Sequence, residues 1–146
     1  MAEAVQHPCV VSCPLGLEAC LHRLRRLSPR ELLFVDAALG LNPCECILTS
    51  LEEVAEKPVS SHVLTPSLGA RLLGVRRAAV LAIGVHGIGV GSQPSPHIVE
   101  CAARIAEWLG SILARCGSSC TLRDVAHAIG PGSPCRLRVS TVGDTR

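Results

Sequence analysis

The chain has 146 residues and a mass of 15.3 kDa, enough polypeptide for one domain with a single core. Hydrophobic residues make up 48% and charged residues 18%, which excludes disorder as a global description. A net charge of +2 predicts no acidic partner, and Phe34 and Trp108 are the only aromatics, too few for the stacking platforms of a nucleic-acid binder.

The opening MAEAVQHP has no basic region followed by an apolar stretch and does not read as a signal peptide. The most apolar segment, AAVLAIGVHGIGVG (78–91), is too short for a bilayer and is broken by His86 and glycines. Without a secretory signal, the nine cysteines are expected to be reduced thiols of a cytoplasmic protein, several of them small buried groups.

In chain order, PCVVS (8–12) suggests a short strand. LGLEACLHRLRRL (15–27) carries Leu17, Leu21, Leu24 and Leu27 at helical spacing, which predicts one buried helix face. LLFV (32–35) is continuously apolar, as in a strand covered on both faces. ALGLNP is turn chemistry, and CECIL (44–48) reads as a strand nearer an edge. Thr65-Pro66 is a cap followed by a first-turn proline, opening a helix with Leu68, Leu72 and Val75 inward and Gly74 at its end. AAVLAIGV (78–85) is a second buried strand. Ser95 caps a helix whose Ile98, Ala102, Ile105, Leu109 and Ile112 form an apolar stripe, with Glu100 and Arg104 as a flanking pair. Within the tail, TLRDVAHAI suggests a short helix and GPGSP a breaker.

Strands alternating with helices predict an α/β domain: a three-layer architecture with a twisted, mixed or mostly parallel sheet and helices on both faces. The domain is expected to span 1–116, with 117–146 a partly mobile appendage.

Binding sites in such sheets gather beyond the C-terminal ends of the strands. Asp36 directly follows the LLFV run and is placed there, either as a turn cap or as a ligand. His62 precedes the Thr65 cap, either as a surface loop histidine or as a neutral imidazole able to bind a metal.

The segment LLFVDAALGLNPCECILTSLEEVAEKPVSSH resembles the central stretch of the hydrogenase maturation endopeptidases. That stretch is an apolar strand, Asp-Ala, a Gly-x-x-Pro-Gly turn, a strand, then Ser/Thr-His before a helix. LAIGVHGIGVGSQPSPHIVECAARIAEWL resembles the family's last strand, loop and C-terminal helix, and SCPLGLEACLHRL its preceding helical segment, so the resemblance covers residues 9 to 115. It implies that Asp36 and His62 bind nickel. It also implies an endopeptidase that removes the C-terminal extension of a nickel-containing hydrogenase large-subunit precursor. The nickel is carried by that substrate and serves as the recognition signal. The implied partner is the precursor alone, with no nucleic acid and no membrane, and the chain is expected to be a monomer.

The family's N-terminal strand and GNxxxxDDGxG-like loop, which carry a third, acidic ligand, have no counterpart here. The first βα unit is therefore expected to be missing, leaving an open sheet edge. Glu18 belongs to the following helix and is not promoted to ligand. The turn glycine of the family is Cys44 here, and its Gln-Pro is His86-Gly87. His86 reads as a loop histidine or an additional ligand at the same sheet edge. The alternative function is a catalytically incompetent relative that only binds the hydrogenase large subunit. A blander alternative is an α/β domain that binds metal through thiols. GVHGIGVGSQ does not fit G-x-G-x-x-G. A four-thiolate zinc site built from Cys44, Cys46, Cys116 and Cys120 is the weakest of the metal readings.

Overall fold

In the computed structural model, residues 5–51, 65–87, 89 and 91–137 are described. The elements are α1 (Leu17–Leu27), β1 (Glu31–Ala38), β2 (Cys46–Ser50), α2 (Pro66–Leu72), β3 (Arg77–Gly84), α3 (Pro96–Cys116), a 3-10 turn (Gly117–Ser119), α4 (Leu122–His127) and β4 (Arg136–Leu137). The four strands form one mixed sheet in the order β1-β3-β2-β4. β3 runs parallel to β1 and antiparallel to β2, and β2 runs parallel to β4. This is the α/β architecture expected from the alternation of strands and helices.

β3 is central because its run of small and branched apolar residues can be covered on both faces. Successive side chains of a strand point to opposite sides, and here they fill two separate clusters. Ala79, Leu81 and Ile83 join Ile105 and Ile112 of α3, Val125 of α4 and Cys46 and Leu48 of β2 in the larger one. Val80 and Ala82 pack with Ala38, flanked by Phe34, Leu41 and Leu51, in the smaller one. Leu81 is 0% exposed and Ile105 1%.

The caps follow the sequence. Thr65 Oγ1 accepts from Leu68 N at 3.3 Å and Ser95 Oγ from Ile98 N at 3.4 Å, each ahead of a first-turn proline. α4 carries a reciprocal capping box between Thr121 and Asp124. Glu31 closes the opposite end of β1 from Asp36. It pairs with Arg77, its register partner, at 3.1 Å and accepts from Leu122 N at 2.6 Å, fastening α4 to the sheet.

Several expectations are corrected. β2 was expected to lie nearer an edge but is interior, whereas β1, flanked among the described residues by β3 alone, is an open edge as expected, and its side chains are mostly half-buried rather than fully covered on both faces. The tail makes β2 interior: β4 pairs with it, and Cys46 is bridged to Cys135. A groove of about 1250 Å³ runs beside β1, lined in part by Val11, Leu33, Val35, Asp36 and Leu113. PCVVS forms a turn and irregular backbone rather than a strand. On α2, Leu68 and Leu72 are exposed, while Gly69 and Ala70 are buried. A Cβ at Gly69 would collide with Leu17 of α1, so the glycine lets the two helices touch. Leu27, the last residue of α1 before the left-handed Ser28 ends the helix, is exposed. Arg104 reaches Cys101 Sγ at 3.4 Å instead of pairing with Glu100.

The expectation of reduced thiols is also corrected. Cys13–Cys20, Cys44–Cys101 and Cys46–Cys135 are disulfides, while Cys9, Cys116 and Cys120 are free. Of the segment read as an appendage, residues up to Leu137 contribute Val125 and Cys135 to the main core. Residues 138–146 lie outside the described residues.

Candidate functional site

Parallel pairing brings the C-terminal ends of β1 and β3 together, with Ala38 opposite Gly84. The turn between β1 and β2 folds back over this end. Cys44 N donates to Gly84 O at 3.0 Å, Gly84 N to Glu45 O at 2.7 Å, and Val85 N to Ala38 O at 3.2 Å. Gly84 is required here: a Cβ would overlap the Asn42 carbonyl oxygen and lie 2.9 Å from the Asn42 carbonyl carbon. The Asn42 N–H is in turn held by Glu45 Oε2 at 3.0 Å. Strand ends and turn therefore form one hydrogen-bonded rim, which the Cys44–Cys101 bridge joins to α3.

Asp36 lies within β1, opposite Ala82, two residues before the strand ends rather than just beyond it. It shares the sheet face of Phe34 and Ala38, which belong to the smaller cluster. Its Oδ1 accepts from Ala37 N at 2.8 Å, which fixes the carboxylate close to its own backbone. The side chain is part-buried and lines the groove. A carboxylate so placed can accept hydrogen bonds or donate oxygen to a cation.

His62 lies outside the described residues. His86 is exposed in the loop after β3. Two groups of potential ligands come together among the described residues, Cys44 with His97 and Cys101, and Cys116 with Cys120 and Asp124. Neither includes Asp36 or His86. The four-thiolate arrangement is not formed, because Cys44, Cys46 and the Cys116–Cys120 pair go to three different places.

Cys116 and Cys120 face each other across one helical step, with Sγ atoms 2.6 Å apart. Burial, followed by the hydrogen bond and charge of Cys116, pushes the Cys120 thiol up to about 12. It is a packing thiol, not a nucleophile at neutral pH. Asp124, by contrast, is held below the ordinary carboxylate value by the hydroxyl and then the backbone N–H of Thr121.

Sequence reasoning missed the Cys44, His97 and Cys101 group. Its signal was present, since His97 and Cys101 stand four apart at the start of a helix whose N-cap was correctly read. The third member comes from a turn 53 residues before His97, which no local pattern reveals.

No family model matches the sequence, and no curated protein matches it. Among solved structures, the NiFe hydrogenase maturation protease HycI from Thermococcus kodakarensis KOD1 is similar, with a TM-score of 0.60 at 25% sequence identity, covering 77% of this chain and 76% of that one. Among the described residues, no helix is long and apolar enough to cross a membrane. The two chains share their fold over about three quarters of each, which supports the resemblance to the hydrogenase maturation endopeptidases.

Proposed function

We propose that the chain is a cytoplasmic endopeptidase that removes the C-terminal extension of a nickel-containing hydrogenase large-subunit precursor. The observation that carries this reading is the likeness to a hydrogenase maturation protease over most of both chains. Asp36 and His62 are the two residues that engage the nickel, which arrives already inserted in the precursor. A borderline divalent ion accepts carboxylate and imidazole together. Two protein ligands alone bind weakly, so a stable complex forms only when the precursor supplies the remaining ligands, and a metal-free precursor is passed over. An ion held in this way can polarise the scissile carbonyl or activate the attacking water. The chain acts as a monomer on the precursor.

The test is processing of a nickel-loaded precursor by the purified chain and by its Asp36→Ala and His62→Ala variants, followed by the shift in large-subunit mass. Each variant is expected to process at least about 100-fold more slowly, the scale of losing one preorganised electrostatic contact in a reaction centre. Undiminished processing by either variant removes that residue from the site. Tight precursor binding by the unaltered chain with no cleavage replaces the enzyme by the binding-only reading.

A further inference from the structure

The rim described above holds a ligand set that the processing reaction does not use. Cys44 Sγ, a ring nitrogen of His97 and Cys101 Sγ all lie within 4.8 Å of one another. Two elements fix them. Cys44 sits in the β1–β2 turn with a left-handed backbone, φ 68°, its N–H bonded to Gly84 O at 3.0 Å. His97 and Cys101 are one helical turn apart on α3, a spacing that stacks side chains on one face. The helix is 21 residues long, and Cys101 is 3% exposed, so two of the three donors stand on a rigid, packed element. His97 is exposed, which leaves a way in from solvent.

In the structure Cys44 and Cys101 are joined, with Cα atoms 5.8 Å apart. A disulfide sulfur is a poor ligand, whereas two thiolates and an imidazole suit zinc and leave one coordination position open. The Arg104 guanidinium, 3.4 Å from Cys101 Sγ, favours the thiolate once the bridge opens. We propose that Cys44, His97 and Cys101 form a redox-gated zinc site: reduced, they hold one zinc ion; oxidised, the bridge releases it.

The exchange balances. A dithiol reductant gives two electrons and two protons to the bridge, yielding the Cys44 and Cys101 thiols and its own cyclic disulfide. Zinc binding then displaces the two thiol protons. In the reverse direction a small-molecule disulfide accepts two electrons from the two zinc-bound thiolates. The Cys44–Cys101 bond forms, the oxidant leaves as two thiolates, and Zn²⁺ departs. Either state ties the β1–β2 turn to α3 across 57 residues of sequence. The site shares no residue with Asp36 or His62.

The test uses the full chain, reduced and desalted without oxygen, titrated with cobalt as a spectroscopic probe and then with zinc. One equivalent of cobalt is expected, with thiolate charge-transfer absorption that zinc abolishes. His97→Ala should keep that absorption but bind at least about tenfold more weakly, the lower end of what even an outer-shell change costs a metal site. Cys44→Ser should lose about half of the absorption and bind at least about tenfold more weakly. These two positions are preferred to buried Cys101 because their replacement leaves the core intact, which circular dichroism verifies. Cys116→Ser/Cys120→Ser should bind as the unaltered chain does. Chain re-oxidised with a small-molecule disulfide should release the metal. The proposal is overturned if the reduced chain binds no cobalt, or if affinity and spectrum are unchanged in Cys44→Ser or in His97→Ala. It is equally overturned if the Cys116/Cys120 variant abolishes binding, or if metal stays bound after the bridge has closed.

Discussion

Replacing Gly84 by alanine tests whether the rim at the end of β3 is as tightly built as its hydrogen bonds indicate. The new methyl group would overlap the Asn42 carbonyl oxygen and sit 2.9 Å from the Asn42 carbonyl carbon and 3.0 Å from Leu41 Cβ. Two of these three atoms are backbone, so no side-chain rotation relieves the contact. If the turn stays in place, the overlap costs about 1–3 kcal/mol. If the turn swings away, the bonds between Gly84 and the backbones of Cys44 and Glu45 are lost, at about 1 kcal/mol each. The cheaper route sets the outcome, so the expected loss is about 2 kcal/mol, or roughly 4–8 °C in Tm for a chain of this size. Urea and thermal unfolding of fully reduced protein measure it without help from the Cys44–Cys101 bridge. Gly87→Ala is the matched control, because a Cβ there meets nothing within 4 Å and its effect should be neutral or stabilising. A Gly84→Ala variant as stable as Gly87→Ala would refute the close approach of turn and strand.

Ile105, 1% exposed in the main cluster, should lose about 2–5 kcal/mol on replacement by alanine, read from denaturant midpoints at constant m. Asp124 has a folded-state pKa below its ordinary 3.8, so its contribution to stability is present above the unfolded value and lost as pH falls through the folded one. Asp124→Asn should therefore flatten the acid limb of the stability profile below pH ~4 and leave its neutral shape unchanged. Cys120, raised from 9.0 to about 12, should carry roughly a thousandfold less thiolate than an ordinary cysteine near neutral pH. Timed alkylation with mass mapping should find exposed Cys9 modified well before it.

What the sequence made legible was what short-range rules govern. Ser95 and Thr65 cap where their chemistry predicted, the Ile105 and Ile112 stripe faces the core, and the AAVLAIG run is the central strand. The resemblance that singled out Asp36 led to a fold that the solved protease shares. What failed depended on partners remote in sequence. β2 is interior because β4, nearly ninety residues after it, pairs with it, and an apolar run does not say which strand will lie beside it. Leu68 and Leu72 were expected to face inward, but the close approach of Gly69 to Leu17 turned α2 the other way. The disulfides joining Cys44 to Cys101 and Cys46 to Cys135 span 57 and 89 residues. An odd cysteine count with no local spacing rule cannot reveal such pairs. Asp36 was placed at the correct end of the correct strand but two residues too far along it, because the strand continues through Ala37 and Ala38 to meet Gly84.

The most direct measurement is the intact mass of a hydrogenase large subunit after its precursor is incubated with the purified chain, once loaded with nickel and once metal-free. Removal of the C-terminal extension from the nickel-loaded precursor alone is the predicted result. Equal cleavage of both precursors would contradict nickel as the recognition signal, and cleavage of neither would contradict the assignment as a processing endopeptidase.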